Sequence, residues 1–232
     1  MKREIINDGD RRRAADDSAS SVVVRLSSNS LLHRGGLRQS LLCHLLAHEP
    51  KTHAVVQEGL VSALLDELHE HRLDLILTDR AVPSDERGEY ANHVVGKVPI
   101  VFAASPALAK QYRRFPKDLQ GAPLILPTAP SQVYQQLQAF FAERKIAPHI
   151  VAEVQDIEVA RRLAISGYGI APLNAYTVSV SQPPKALTVM ANSMRPTIHE
   201  TLYLVTRKRK WPNPLAEHLV KTFRIPPGHP QK

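Results

Sequence analysis

Two apolar runs of this sequence end on polar side chains that could bind a small ligand. The run at residues 73–77 ends on Thr78 and Asp79, and the run at residues 123–126 is soon followed by hydroxyl side chains. Hydroxyl groups donate and accept hydrogen bonds, and a carboxylate accepts them or coordinates a cation. Because open α/β sheets bind ligands at the carboxyl ends of their strands, these positions form a predicted ligand-binding site. Its residues are Thr78, Asp79, Thr128, Ala129 and Ser131.

The two halves of this predicted site favour ligands of different charge. Ser131 precedes a helical pattern, and a helix N-terminus presents free N–H groups and a partial positive charge that suit a carboxylate or another anion. Asp79 instead suits a cation. Each residue also has a purely structural interpretation, Ser131 as a helix cap and Asp79 as a turn residue. We therefore expect a small-molecule or ion effector, and the sequence leaves its identity open.

The sequence carries no motif typical of an enzyme. It has no Gly-x-Ser-x-Gly turn, no His-Glu-x-x-His pair and no phosphate-binding loop. The run at residues 167–169 has two of the three glycines of a dinucleotide fingerprint, and its turn leads from helix to strand. Cys43, His44 and His48 could share one helix face, but no further ligand follows at a suitable spacing, so no metal site is predicted. We expect no catalytic residues, no cofactor and no enzymatic activity.

Composition favours a globular cytoplasmic protein. With 232 residues and 43% hydrophobic residues, the chain can form one large domain or two small lobes. It has no apolar run of the roughly 18 residues that a membrane helix needs. It also lacks a signal-peptide pattern, and its single cysteine fits a reducing compartment. The net charge is +8, but the basic runs at residues 11–13 and 207–210 lack a DNA-binding motif, and we interpret the second as solvating a strand end.

The spacing of apolar residues predicts two successive series of strands and helices. Ser131 and Asp156 are placed to cap two of the helices, and Gly167 is placed to end one in a left-handed conformation. The predicted strands cover residues 22–24, 54–56, 73–79, 98–103, 123–126, 149–154, 170–173, 186–190 and 201–205. The predicted helices cover residues 37–46, 60–68, 106–112, 133–141, 157–165 and 214–223.

Alternation of strands and helices predicts an α/β fold with parallel strand pairing in the first series. A loop at residues 83–92 separates the two series. We therefore predict a disordered polar tail at residues 1–21, a first lobe formed by residues 22–92 plus 206–232, and a second lobe formed by residues 93–205.

The order and spacing of three segments resemble the effector-binding region of LysR-type transcriptional regulators, from about residue 22 to residue 223. The segments are residues 58–74 with their Glu-Gly pair, residues 98–109, and residues 163–172 with their Gly-x-Gly turn. The resemblance implies a two-lobed fold like that of type-2 periplasmic binding proteins, with lobes joined by crossing strands near Val98 and Thr201. It also implies that an effector binds between the lobes.

Within that family, residues 74–79 and 121–128 look most like the NhaR-type activators, which switch on a sodium/proton antiporter operon in response to sodium. This finer resemblance implies that sodium is the signal and that Asp79 is an oxygen donor to it. A stand-alone solute-binding module of the same fold is the alternative function.

The resemblance also concerns partners. LysR regulators read DNA with an N-terminal winged helix-turn-helix, and the residues before Val22 lack that pattern. We therefore expect a truncated regulator that reaches DNA only through a domain absent from this chain. A homodimer is also expected, since relatives pair their effector regions. Its candidate interface consists of the apolar faces at Leu64, Leu65 and Leu68 and at Leu215 and Leu219.

Overall fold

The computed structural model describes residues 21–27, 36–49, 51–83, 88–129, 131–179, 185–190 and 198–225. The strands are β1 (Ser21–Ser27), β2 (His53–Gly59), β3 (Leu75–Thr78), β4 (Tyr90–Ala104), β5 (Pro123–Pro127), β6 (His149–Val154), β7 (Ala171–Asn174), β8 (Thr188–Val189) and β9 (His199–Arg207). The helices are α1 (Gly36–His48), α2 (Val61–His69), α3 (Pro106–Ala109), α4 (Gln132–Arg144), α5 (Ile157–Ile165), α6 (Ala175–Ser179) and α7 (Pro214–Thr222). The predicted tail before Ser21 and the predicted end of the first lobe after Ile225 lie outside the described residues.

The first lobe is a sheet with helices packed on both of its faces. Strand β1 pairs in parallel with β2 and with β3, which confirms the predicted parallel series. Strand β9 then adds to β3 in the antiparallel direction. Helices α1 and α7 share one hydrophobic core on this sheet, and α2 shares a second core with residues of β3 and β9.

The 15-residue strand β4 connects the two lobes. Its first part, from Tyr90 to Pro99, pairs with β9, and its last part, from Ile100 to Ala103, pairs with β7. These pairings confirm the predicted α/β fold of two lobes joined by crossing strands.

Strand β4 begins eight residues earlier than the predicted Val98, within what was expected to be a loop. That first half mixes polar and apolar residues, and of residues 90–97 only Val95 is fully buried, so its strand conformation depends on pairing with β9 rather than on an apolar pattern.

The second lobe has its own hydrophobic core, which collects the apolar faces of α4 and α5 and the strands β4 to β7. The helix caps and the helix end predicted for this lobe are confirmed. Ser131 and Asp156 cap α4 and α5 by accepting hydrogen bonds from backbone N–H groups two residues on. Gly167 follows α5 with a φ of 81°, a conformation that an L side chain rarely adopts.

The apolar faces predicted to form a dimer interface instead pack inside the chain. Leu64 and Leu68 are buried against the sheet in the core of α2, and Leu215 and Leu219 are buried in the core shared by α1 and α7. The predicted location of the interface is therefore wrong for these four residues, because amphipathic helices already cover their apolar faces with their own sheet. Leu65 is only partly buried, and its place in an interface stays a prediction. Formation of a homodimer stays a prediction.

The basic run that follows β9 is only partly solvated. Arg207 forms an ion pair with Glu89 at 2.9 Å, and Arg209 forms one with Asp74 at 3.3 Å. All four of these side chains are largely shielded from solvent. The interpretation of this run as a simple solvated strand end is therefore wrong for its arginines, which hold the end of β9 against neighbouring segments.

None of the helices in the described segments combines the length and the apolar character needed to cross a membrane.

Candidate functional site

The first-lobe half of the predicted site is buried. Thr78 is the last residue of β3, and Asp79 follows it, with 0% and 6% of their surfaces exposed. The hydroxyl of Thr78 accepts a hydrogen bond of 3.2 Å from the backbone N–H of Arg80. Thr78 therefore stabilises the turn that leaves the sheet, and Asp79 is buried in that turn.

A second carboxyl group, that of Glu200, lies close enough to Asp79 for their charges to interact. Strand β9 runs antiparallel to β3 with Tyr203 opposite Thr78, so its earlier residues extend past the end of β3. Glu200 is 3% exposed. Burial raises the pKa of Glu200 to about 8, and the negative charge of Asp79 acts in the same direction. Glu200 is therefore a buried acid that holds its proton at neutral pH.

Asn174 connects this acid to the second lobe. On β4, Ile100 is opposite Asn174 and Val98 is opposite Glu200, which brings the two polar side chains together. The amide Nδ2 of Asn174 donates a hydrogen bond of 3.1 Å to Oε2 of Glu200. Its Oδ1 accepts a bond of 2.7 Å from the N–H of Thr177 at the start of α6. We call Asp79, Asn174 and Glu200 the junction cluster, since they link β3, β7 and β9 where the lobes meet.

The junction cluster has capacity for a further partner. Oε1 of Glu200 is buried, and among the described residues it has no hydrogen-bond partner. A buried polar atom without a partner costs free energy, so a proton, a water molecule or a cation at this oxygen would be stabilised. Two neighbouring carboxyl groups can share a proton or coordinate a cation through their oxygens. Sequence reasoning missed Glu200 and Asn174 because each lies one residue beyond a predicted apolar strand.

The second-lobe half of the predicted site gathers at the start of α4. The backbone N–H of Ser131 donates a hydrogen bond of 3.2 Å to the carbonyl of Thr128, and the hydroxyl of Ser131 accepts one of 3.2 Å from the N–H of Val133. Thr128 and Ser131 are half-buried, and Ala129 is exposed. The role of Ser131 as a cap is confirmed. The cap satisfies one of the free backbone N–H groups at the start of the 13-residue helix α4. The helix N-terminus therefore keeps a partial positive charge, which favours an anion.

Both halves of the site are attached to the same crossing strand. Thr78 is paired with Tyr203 of β9, as described above. In the second lobe, Gln136 of α4 donates from Nε2 to the carbonyl of His199 at 3.0 Å, and its Oε1 accepts from the N–H of His199 at 3.3 Å. His199 directly precedes Glu200. A displacement of β9 therefore acts on α4 and on the junction cluster together.

The structure also brings together three histidines that the sequence did not connect. His44 and His48 of α1 lie beside His218 of α7, and one ring nitrogen of each lies within 4.8 Å of the others. Cys43 is exposed and is not part of this group. His218 is separated from His48 by most of the chain, so no local spacing in the sequence could have connected these residues.

The fold and site define a two-lobed ligand-binding domain, and comparison with known families identifies which one. The LysR substrate binding domain matches residues 35–224. The chain therefore belongs to this family, the effector-binding domains of LysR-type transcriptional regulators. The family is a regulatory ligand-binding domain of transcription factors rather than a typical enzyme family.

Solved structures show the same fold at low identity. The regulatory domain of HypT from Salmonella typhimurium in its apo form has a TM-score of 0.65 and 16% identity, with 88% of this chain and 94% of that chain covered. The effector-binding domain of QuiR in complex with shikimate has a TM-score of 0.63 and 18% identity, covering 89% and 95%. Full-length CbnR complexed with its target DNA has a TM-score of 0.70 and 16% identity, covering 92% and 73%. The comparison with curated proteins found no match.

Proposed function

We propose that this chain senses a small effector that binds between its two lobes and that it passes the binding state on through the crossing strands. The observation that carries the proposal is the attachment of both predicted half-sites to β9, next to a buried polar cluster. A ligand that contacts both lobes favours one arrangement of them by its differential affinity. The proposed ligand residues are Thr78, Asp79, Thr128, Ala129 and Ser131.

The second-lobe half supports an anionic effector. Thr128 and Ser131 offer hydroxyl groups beside the N-terminus of α4, which attracts carboxylates. QuiR, which shares the fold, has been solved with shikimate, a hydroxylated carboxylate. A small hydroxylated carboxylate is therefore the first class of effector that we propose for this half-site.

Sodium is the second proposed effector, and the junction cluster supports it. The resemblance to NhaR-type activators implies sodium as the signal, and the buried side chains of Asp79 and Glu200 lie close enough for their charges to interact. Sodium is a hard cation that prefers oxygen ligands, and Oε1 of Glu200 lacks a hydrogen-bond partner among the described residues. In this form of the proposal the chain takes part in sodium-responsive regulation of an antiporter.

The anion hypothesis is tested with Ser131→Asp. Aspartate caps a helix as well as serine does, so the fold is retained while a negative charge enters the half-site. We expect the affinity for a carboxylate such as shikimate, measured by calorimetry, to fall roughly tenfold or more because like charges at close range repel. Asn213→Asp, the same kind of change at the cap of α7, is the matched control. Equal affinities in both variants and in the wild type would contradict the anion proposal.

The sodium hypothesis is tested by thermal shift with sodium against potassium at equal ionic strength. We expect sodium to raise the melting temperature more than potassium does, and we expect Asp79→Asn to abolish the difference because it removes a charged oxygen ligand. Glu153→Gln, an exposed change on β6, is the control. Equal responses to both ions in the wild type would remove sodium from the proposal and leave the carboxylate.

The remaining parts of the proposal concern organisation and partners. We propose that the chain is the regulatory part of a DNA-binding regulator and that it forms homodimers. The structure of full-length CbnR on its target DNA supports such an arrangement. The proposed lobes are residues 22–92 plus 206–232 and residues 93–205. Separate hydrophobic cores on the two sides of the β4 crossing support two lobes, but Val95, Val98, Leu202 and Leu204 of the proposed second lobe pack into the core of the first.

A further inference from the structure

Three imidazole rings converge on the face of the first lobe that α1 and α7 cover. His44 and His48 are one helical turn apart on α1, and His218 faces them from α7. The ring centroids are 4.8 Å apart for His44 and His48, 5.0 Å for His48 and His218, and 6.3 Å for His44 and His218. Since α1 and α7 pack on one shared core, this convergence is held by the fold. We call the three residues the histidine cluster.

A hydrogen-bond chain sets the tautomer of His44. The hydroxyl of Thr222 donates its single proton to the carbonyl of His218 at 2.8 Å. The same oxygen lies 2.9 Å from Nε2 of His44, so it can only accept from an Nε2–H group. A neutral His44 therefore carries its lone pair on Nδ1. Histidines that bind metals usually donate their other N–H to an acceptor that orients the ring, and Thr222 provides that acceptor here.

His218 has an unsatisfied nitrogen within the histidine cluster. Its Nε2 is buried, and in the part of the chain that the structure describes it has no hydrogen-bond partner. Burial without a partner costs free energy that coordination to a metal ion would recover.

We propose that His44, His48 and His218 bind one first-row transition-metal ion, with zinc as the best fit. Three histidine nitrogens with an open fourth position are a common zinc arrangement. The donors are all imidazole nitrogens, which suit zinc, nickel and copper and disfavour magnesium and calcium. The nitrogens must approach from 4.8 Å to about 3.3 Å for tetrahedral binding, and the exposed His48 can make that movement.

Binding at this site would tie the first helix of the domain to the last one. Both helices pack on the first-lobe sheet, whereas the junction cluster lies where the lobes meet. A metal that binds the folded chain raises its stability in proportion to the logarithm of free metal concentration. The proposed ion therefore has a stabilising role that is separate from effector binding.

The test is a titration of tag-free protein with zinc chloride by calorimetry and with cobalt chloride by visible absorption. We expect one ion per chain, a tetrahedral cobalt spectrum and no binding of magnesium. His48→Ala and His218→Gln are expected to weaken zinc at least roughly a hundredfold, because each removes a direct ligand. Thr222→Val keeps all three ligands and is expected to weaken zinc about tenfold, since it removes only the orienting acceptor of His44.

Two controls make the outcome decisive. His149→Ala removes an exposed histidine of β6, and Cys43→Ser removes the exposed thiol beside His44, and both should bind zinc as the wild type does. His48 is exposed, so loss of binding in its alanine variant is not explained by misfolding. Equal zinc affinity in the wild type and the His48→Ala and His218→Gln variants, or no binding by the wild type, would overturn the proposal.

Discussion

In the wild type we expect the free energy of unfolding to fall as the pH rises. In the Glu200→Gln variant we expect this fall to disappear. The pKa of Glu200 is raised from an ordinary value of 4.5 to about 8 in the folded chain. Between those values the folded chain holds a proton that the unfolded chain has released, so the unfolding free energy falls with increasing pH and levels off above about 8. Each pKa unit corresponds to about 1.4 kcal/mol, which makes the total effect of the order of a few kcal/mol.

Urea unfolding near pH 5 and near pH 8.5 measures this effect. Glutamine keeps an oxygen that can accept the hydrogen bond from Asn174, but it has no charge to bury, so the variant should gain stability over the wild type mainly at the higher pH. The exposed Glu153→Gln variant should follow the wild type at both values. If Glu200→Gln showed the same pH dependence as the wild type, Glu200 would not be the protonated acid that its burial implies.

Phe102→Ala is expected to lower the unfolding free energy by about 3–5 kcal/mol. Phe102 is buried at the end of β4, and its ring lies 5.3 Å from that of Phe115, 6.0 Å from that of Phe140 and 6.3 Å from that of Phe141. Truncation removes the apolar contacts of a whole ring and leaves a cavity among these aromatic residues, which can collapse only in part.

Chemical denaturation followed by circular dichroism checks this prediction. Tyr168→Ala is the matched control, because the ring of Tyr168 is 68% exposed and its loss should change the unfolding free energy by no more than about 0.5 kcal/mol. A cost below about 1 kcal/mol for Phe102→Ala would contradict the view that this aromatic group is the centre of the second-lobe core.

Much of the secondary structure could be predicted because it depends on local signals. The caps of α4 and α5 depend on Ser131 and Asp156, each acting on a backbone group two residues away. The end of α5 depends on Gly167, where a left-handed conformation favours glycine. The first half of β4 could not be predicted, because its polar residues form a strand only by pairing with β9, which lies about a hundred residues later.

The candidate sites likewise combine features that depend on neighbouring residues with features that depend on contacts between distant segments. By itself the sequence determined that Thr78, Asp79, Thr128 and Ser131 stand at strand and helix ends, since each position follows from its immediate neighbours. Only the tertiary structure decided that Asp79 lies near Glu200 and that His218 lies near His44. These pairs are separated by more than a hundred residues, and their distances depend on strand register and on the packing of helices over a shared core. Chemistry that depends on burial and on proximity between distant segments therefore arises only after the chain has folded.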